Sequence, residues 1–282
     1  MRGLGETLEV SAATGSGSLE VPLDLSRGRA GFGPSLALRY DSGAGNGPFG
    51  LGWTLPVPAI SRRTDRGVPR YHDDEESDVF LLAGGDDLVP VLDADGTRSP
   101  DTATAPGFRI DRYRPRLEEG FARLERWTHL DSGESHWRSI GRDNVTTLYG
   151  TSDESRIQSG GRVFSWLIVA SYDDRGNAVA YSYVAEDATG VDLDRPSERT
   201  RTRTANRYLK RIRYGNRTPV DAGADLAAAE WLFEVVLDYG ERHYEPLPPD
   251  PELAPTAQHR RVRVAAATPP GTWARRPDSF ST

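Results

Sequence analysis

The chain has 282 residues, a formal net charge of −7, 29 glycines, 20 prolines and no cysteine. The acidic balance removes any global attraction to nucleic acid or anionic membrane, and the missing cysteines exclude disulfides, thiol catalysis and zinc–thiolate sites. High glycine and proline with 37% hydrophobic residues predicts many short strands and turns, in one large domain or two small ones.

Residues 1–13 read as a leader with one strand around Thr7 to Val10. Met1 to Thr7 lacks the apolar run of a secretory signal, and no segment has the length to cross a bilayer as a helix. The expectation is a cytoplasmic protein that is later released by a route without a classical signal. From residue 14 to residue 282 the pattern predicts one all-β domain, with a sub-boundary near residues 100–106. Leu19, Val21, Leu23 and Leu25 alternate with Glu20, Pro22 and Asp24, the period of a half-buried strand. After a Gly- and Arg-rich connection ending at Pro34, Leu36, Leu38 and Tyr40 alternate in a second strand. These two strands are expected to pair as the antiparallel core of the domain. A loop with Gly43, Gly45, Gly47, Gly50 and Gly52 follows, closed by Trp53. Gly45, Gly47 and Gly50 fit G-x-G-x-x-G, but a dinucleotide site needs a helix opening at the third glycine. Pro56 and Pro58 forbid that helix, so the glycines are read as a tight, packed turn.

A strand beginning at Ile60 is expected within Ala59 to Tyr71. The acidic run His72-Asp73-Asp74-Glu75-Glu76-Ser77-Asp78 lacks the glycine and alternate-residue spacing of a calcium loop and reads as a solvated connection. Residues 78–82 and 88–92 predict a hairpin across Gly84 to Asp87, and Asp93 to Gly96 a turn. Phe108–Arg114, Ala122–Leu130 and Ser135–Ile140 predict a three-strand meander, with Asn144–Tyr149 and Arg162–Tyr172 adding two strands. The turn Asp173 to Asn177 leads into a strand at Ala178–Val184. Asp192 to Asn206, with Arg195, Arg199, Arg201 and Arg203, lacks the aromatic platforms of a nucleic-acid binder and reads as a mobile, solvent-facing loop. Strands follow at Tyr208–Tyr214 and Phe233–Tyr239, with one helical turn expected at Asp225–Glu230. A proline-rich crossing at Glu245–Pro255 precedes a basic strand at Arg260–Val264.

No catalytic constellation emerges. There is no G-x-S-x-G elbow and no H-E-x-x-H. His72, His129, His136, His243 and His259 are scattered along the chain, and the adjacent pairs Glu75–Glu76 and Glu118–Glu119 split across opposite faces of a strand. Catalytic, cofactor-binding and metal-ligating residues are therefore assigned to none, and no cofactor is expected.

The stretch from Thr14 to Tyr71, TGSGSLEVPLDLSRGRAGFGPSLALRYDSGAGNGPFGLGWTLPVPAISRRTDRGVPRY, resembles the opening of the SpvB-type virulence-plasmid domain, which Tc insecticidal toxin B components share. The resemblance continues through Asp73–Leu92, Ser171–Asp187, Asn206–Asn216 and Trp273–Ser281. The Tyr172-Asp173 turn ending in Gly176-Asn177 is similar to the YD repeat of Rhs proteins. The resemblance implies mostly antiparallel, curved sheets that contribute to a hollow shell around an effector, and a sheet that continues past Thr282. The partners it implies are the rest of the chain's own protein, a C-type Rhs component and, indirectly, a pore-forming A component. Nucleic acid and direct membrane insertion are not expected. In SpvB-type proteins the ADP-ribosyltransferase activity lies in a separate C-terminal domain, whose Glu-x-Glu loop has no counterpart here. The expected function is a structural carrier module; the alternative is an enzyme or lectin-like module with a site built from scattered residues.

Overall fold

The computed structural model describes residues 7–10, 15–83, 85–117, 122–186, 192–221, 223–239, 242–246 and 262–267. These residues are all-β, with three short 3-10 turns and no α-helix among them. β1 (Thr7–Val10), β2 (Gly17–Pro22), β3 (Ala37–Asp41), β4 (Asn46–Gly47), β5 (Gly50–Leu51) and β6 (Trp53–Thr54) precede the main sheet. β1, β2, β3 and β6 pair in that order. The expected hairpin is present, with Leu19 opposite Tyr40 and Val21 opposite Leu38. The glycine loop makes the small β4–β5 hairpin, so a strand rather than a helix begins at its third glycine. Gly52 (φ 77) lies so close to the Tyr40 ring that a Cβ would meet it at 2.6 Å, so any side chain here would clash.

Seven strands then meander: β7 (Ala59–Arg62), β8 (Phe80–Leu82), β9 (Asp86–Pro90), β10 (Phe108–Pro115), β11 (Arg123–His129), β12 (Ser135–Ile140) and β13 (Thr146–Tyr149). β14 (Arg156–Ser159) and the 11-residue β15 (Arg162–Tyr172) follow. β15 closes the meander on itself. Ser165, Trp166 and Leu167 pair with Ser61, Ile60 and Ala59 of β7, while Ile168 to Tyr172 pair with β13. The result is an eight-stranded antiparallel barrel, a size whose interior side chains can just fill.

Alternation along each strand sends one face inward. The lumen holds Ile60, Phe80, Leu88, Tyr113, Leu124, Trp137, Tyr149, Trp166 and Ile168, all buried. Phe80, Trp137 and Trp166 meet edge to face, with centroids 5.0 to 6.1 Å apart. Gly150 (φ 64) lets the chain pass Trp166, where a Cβ would come within 2.3 Å of the indole. Beyond the barrel, β16 (Ala178–Ala185), β17 (Arg207–Asn216) and β18 (Trp231–Val236) extend the sheet from the second half of β15. β19 (Arg242–Pro246) and β20 (Val262–Ala267) form a separate hairpin.

Contacts divide the chain into two compact units, residues 1–184 with 207–236, and residues 185–206 with 237–282. Residues 100–106 lie inside the first unit, where Asp101 bridges to Ile110 of β10. In the second unit the arginine-dense stretch faces solvent, with Arg195, Arg199 and Arg201 exposed, and is also internally paired. Arg201 meets Glu186 at 2.7 Å, Arg203 meets Glu198 at 3.0 Å, and Arg199 donates to the Asp194 carbonyl.

Two expectations are corrected. Leu19, Val21, Leu23 and Leu25 are half-buried, so the opening hairpin is a flank and the barrel is the core. Residues 225–230 form a turn, with Ala228 N–H donating to the Asp225 carbonyl, because one turn of helix has too few bonds to offset its nucleation cost. The strand β14 was not legible at all. With the core in the barrel, Trp137→Ala should cost about 3–5 kcal/mol and Val21→Ala about 1 kcal/mol by chemical denaturation. Equal losses would return the core to the hairpin.

Candidate functional site

The connections β7–β8, β9–β10, β11–β12 and β13–β15 all lie at one end of the barrel, as antiparallel order requires. One long segment here joins β7 to β8 and folds over the opening. On β7, Ile60 and Arg62 both point inward; on β11, Leu124 and Arg126 do. Two guanidinium groups therefore sit inside the mouth, where burial of a charge is costly unless it is paired. The acidic run supplies the partners. Asp73 takes Arg62 in a two-pronged contact at 2.5 and 2.8 Å and Arg126 at 2.5 Å. Asp78 takes Arg62 at 2.8 Å and accepts the backbone N–H groups of Arg70 and Tyr71. The Arg62 Nε donates to the Val163 carbonyl at 2.7 Å. Its guanidinium also lies 4.7 Å from the Tyr71 ring centroid and 5.2 Å from that of Phe80.

Within this otherwise exposed connection Asp73 and Asp78 thus plug the mouth, and that pair is the site the linear reading missed. The available signal was Arg62 standing in phase with Ile60, an inward cation awaiting a carboxylate. Burial alone would raise both aspartates, but the hydrogen bonds and charges of Arg62 and Arg126 on Asp73, and the backbone N–H groups and Arg62 on Asp78, outweigh it. Both carboxyls are held below their ordinary value. Asp74 and Glu75 are exposed, and Glu76 pairs with Arg98 at 2.5 Å.

On the outer wall, Glu125 is fully buried and accepts from Arg123, from the Trp127 indole at 3.0 Å and from Arg138 at 2.9 Å. Two of the scattered histidines converge beside it. His129 and His136 pack edge-on to Phe108, with centroids 5.2 and 5.8 Å away. Burial, with the charges of Arg156 and Arg138, pushes His136 down to about 4. His72 is exposed, and His259, Glu118 and Glu119 lie outside the described residues. Among the described residues, no group of three or more acidic or histidine side chains could hold a metal. The ionised groups at the mouth are tied to one another, which suits a rigid structural element.

This barrel has known counterparts. Residues 11–282 match the family model described as SpvB, Salmonella virulence plasmid 65kDa B protein. The chain belongs to the SpvB family. It is 37% identical over 294 residues to the mono(ADP-ribosyl)transferase SpvB of Salmonella typhimurium and, to the same degree, of Salmonella dublin. Those matches take in 98% of this chain and 46% of each relative, so the chain spans about half the length of the curated relatives it matches. Among solved structures, the N-terminal domain of effector protein SpvB from Salmonella typhimurium strain LT2 superposes with a TM-score of 0.68 at 35% identity, over 83% of this chain and 74% of that one. TcdB2-TccC3 superposes with a TM-score of 0.76 at 37% identity, over 88% of this chain and 12% of that one. The Photorhabdus luminescens Tc holotoxin pore gives 0.75 at 36% identity, over 90% and 12%. The similarity thus falls on the SpvB N-terminal domain.

Two measurements probe the paired charges. Asp78→Asn removes one partner of the buried Arg62 and should cost about 3 kcal/mol in urea unfolding; a neutral effect would show the pairing to be incidental. His136 stays neutral in the fold while the unfolded chain takes up a proton near pH 6.5. Its stabilising contribution is therefore complete above that pH and fades as pH falls toward 4. His136→Gln should flatten the loss of urea midpoint between pH 7 and pH 4.5, and an unchanged slope would assign that loss elsewhere.

Proposed function

We propose that this chain is a non-catalytic β module of a bacterial toxin, one that contributes wall to a hollow shell enclosing and delivering an effector. One observation carries the reading. The same fold aligns at similar identity with the SpvB N-terminal domain and with a segment of TcdB2-TccC3, so one module serves proteins that differ in the rest of their length. The closed lumen supports it, since a barrel packed with tryptophans and plugged by ion pairs is a scaffold with no room for substrate. In this reading ADP-ribosyl transfer belongs to a domain outside the matched half of SpvB. The Asp173 turn takes the part of a YD unit: the Asp173 side chain accepts the N–H groups of Arg175 and Asn177 and pins the two strands it joins.

The partners are the remainder of a longer protein and a C-type component comparable to TccC3, with a pore-forming component met only through the assembly. Nucleic acid and direct membrane insertion have no part in it. The protein is made in the cytoplasm and released without a classical signal. A test mixes the chain, with nicotinamide adenine dinucleotide, against candidate acceptor proteins in a host-cell lysate and measures ADP-ribose incorporation by mass spectrometry. No transfer is the expected result; transfer above the level of a heat-treated control would overturn the assignment. In parallel, the chain joined to its downstream shell region should co-elute with a C-type component on size exclusion, and separate elution would count against the shell role.

A further inference from the structure

Beside the plugged mouth lies a cleft of about 450 Å³, lined by Tyr71, Glu134, Asp153, Arg156, Gln158 and Arg162 among others. Arg156 is built into its wall, with a side chain only 5% exposed and Nε donating to the Gly150 carbonyl at 2.7 Å. Its Nη1 reaches Glu134 and Asp153 at 3.3 and 3.4 Å, long for charge-assisted bonds. Its Nη2 makes no hydrogen bond among the described residues. Arg162, at the start of β15, is exposed and has no ion pair among the described residues, and its guanidinium stands 6.0 Å from the Tyr71 ring centroid. Tyr71 is placed there by a left-handed backbone (φ 62), a conformation bulky residues rarely adopt, held by the bond from its N–H to Asp78.

Two guanidinium groups with spare donors therefore face one cleft from two rigid strands. Beside Arg156, and loosely paired with its Nη1, Glu134 and Asp153 present carboxylates whose side chains are 63% and 73% exposed. Arg62 adds no net charge, since Asp73 and Asp78 already neutralise it. A bare anion would meet those two carboxylates, and a bare cation would meet the two arginines. We infer that the cleft binds a small ligand bearing a carboxylate next to hydroxyl or ammonium donors. The carboxylate lies between Arg156 and Arg162, and the donors are taken by Glu134 and Asp153. Acidic sugars and acidic amino acids share this chemistry.

The test titrates the chain with glucuronate, N-acetylneuraminate and glutamate, with glucose as the carboxylate-free control, and follows amide shifts by NMR or heat by calorimetry. Saturable binding of at least one carboxylate, and none of glucose, is expected; binding of the sugar acids or of glutamate identifies the source. Arg162→Ala, an exposed position, should leave the melting temperature unchanged and weaken that binding about tenfold or more. Absence of saturable binding by all three, equal binding of glucose, or affinity unmoved by Arg162→Ala would each overturn the inference.

Discussion

The pairing of β15 with two strands at once holds the rest in place. Its first half binds β7 and its second half binds β13, so a seven-strand meander becomes a barrel without an open edge. An open sheet of this composition would leave two rows of backbone donors and acceptors bare and half of its aromatic face wet. Closure removes both liabilities and fixes the lumen at a diameter that three interlocked aromatic rings fill. It also explains the length of β15, whose far end carries the outer sheet through β16.

A closed barrel must still finish at its ends, and here the mouth is finished with charge. Two arginines inside the rim would be ruinous alone. Asp73, shared between them, and Asp78, fixed by two backbone N–H groups, turn the same residues into a cross-brace between β7, β11 and the overlying segment. Replacing such a cluster with packed hydrophobic side chains is often neutral for stability, so its worth lies in geometry. It sets where the covering segment crosses, and with it the placement of Tyr71 and the wall of the neighbouring cleft.

Much of this could be read from the linear chain, and the limits have physical causes. The β8–β9 hairpin and the β10–β11–β12 meander were legible because alternation and turn residues are local signals. The partnership of Ile60 with Trp166 leaves no local trace, so curved antiparallel sheets were expected but their closure into a barrel was not. The phase of Arg62 with Ile60 was a signal, but arginine is ordinarily solvated and only the fold shows which carboxylates reach Arg62 and Arg126. Asp73 and Asp78 were missed for the same reason. Asp225 to Glu230 carries good helix formers, yet propensity over a single turn cannot outweigh nucleation. His129 and His136, apart in order, meet because β11 and β12 are neighbours, with Trp127 directly opposite His136.

The closure has a consequence for biosynthesis. Ile60 and Ser165, joined by a hydrogen bond in the finished barrel, are 105 residues apart in the chain. At about 5–20 residues per second, the ribosome leaves β7 without its second neighbour for roughly 5–20 s. Throughout that interval the nascent meander shows one unpaired strand and an aromatic face to solvent. The barrel is therefore a late, all-at-once event in the life of the polypeptide, and holdase chaperones have a defined window in which to act.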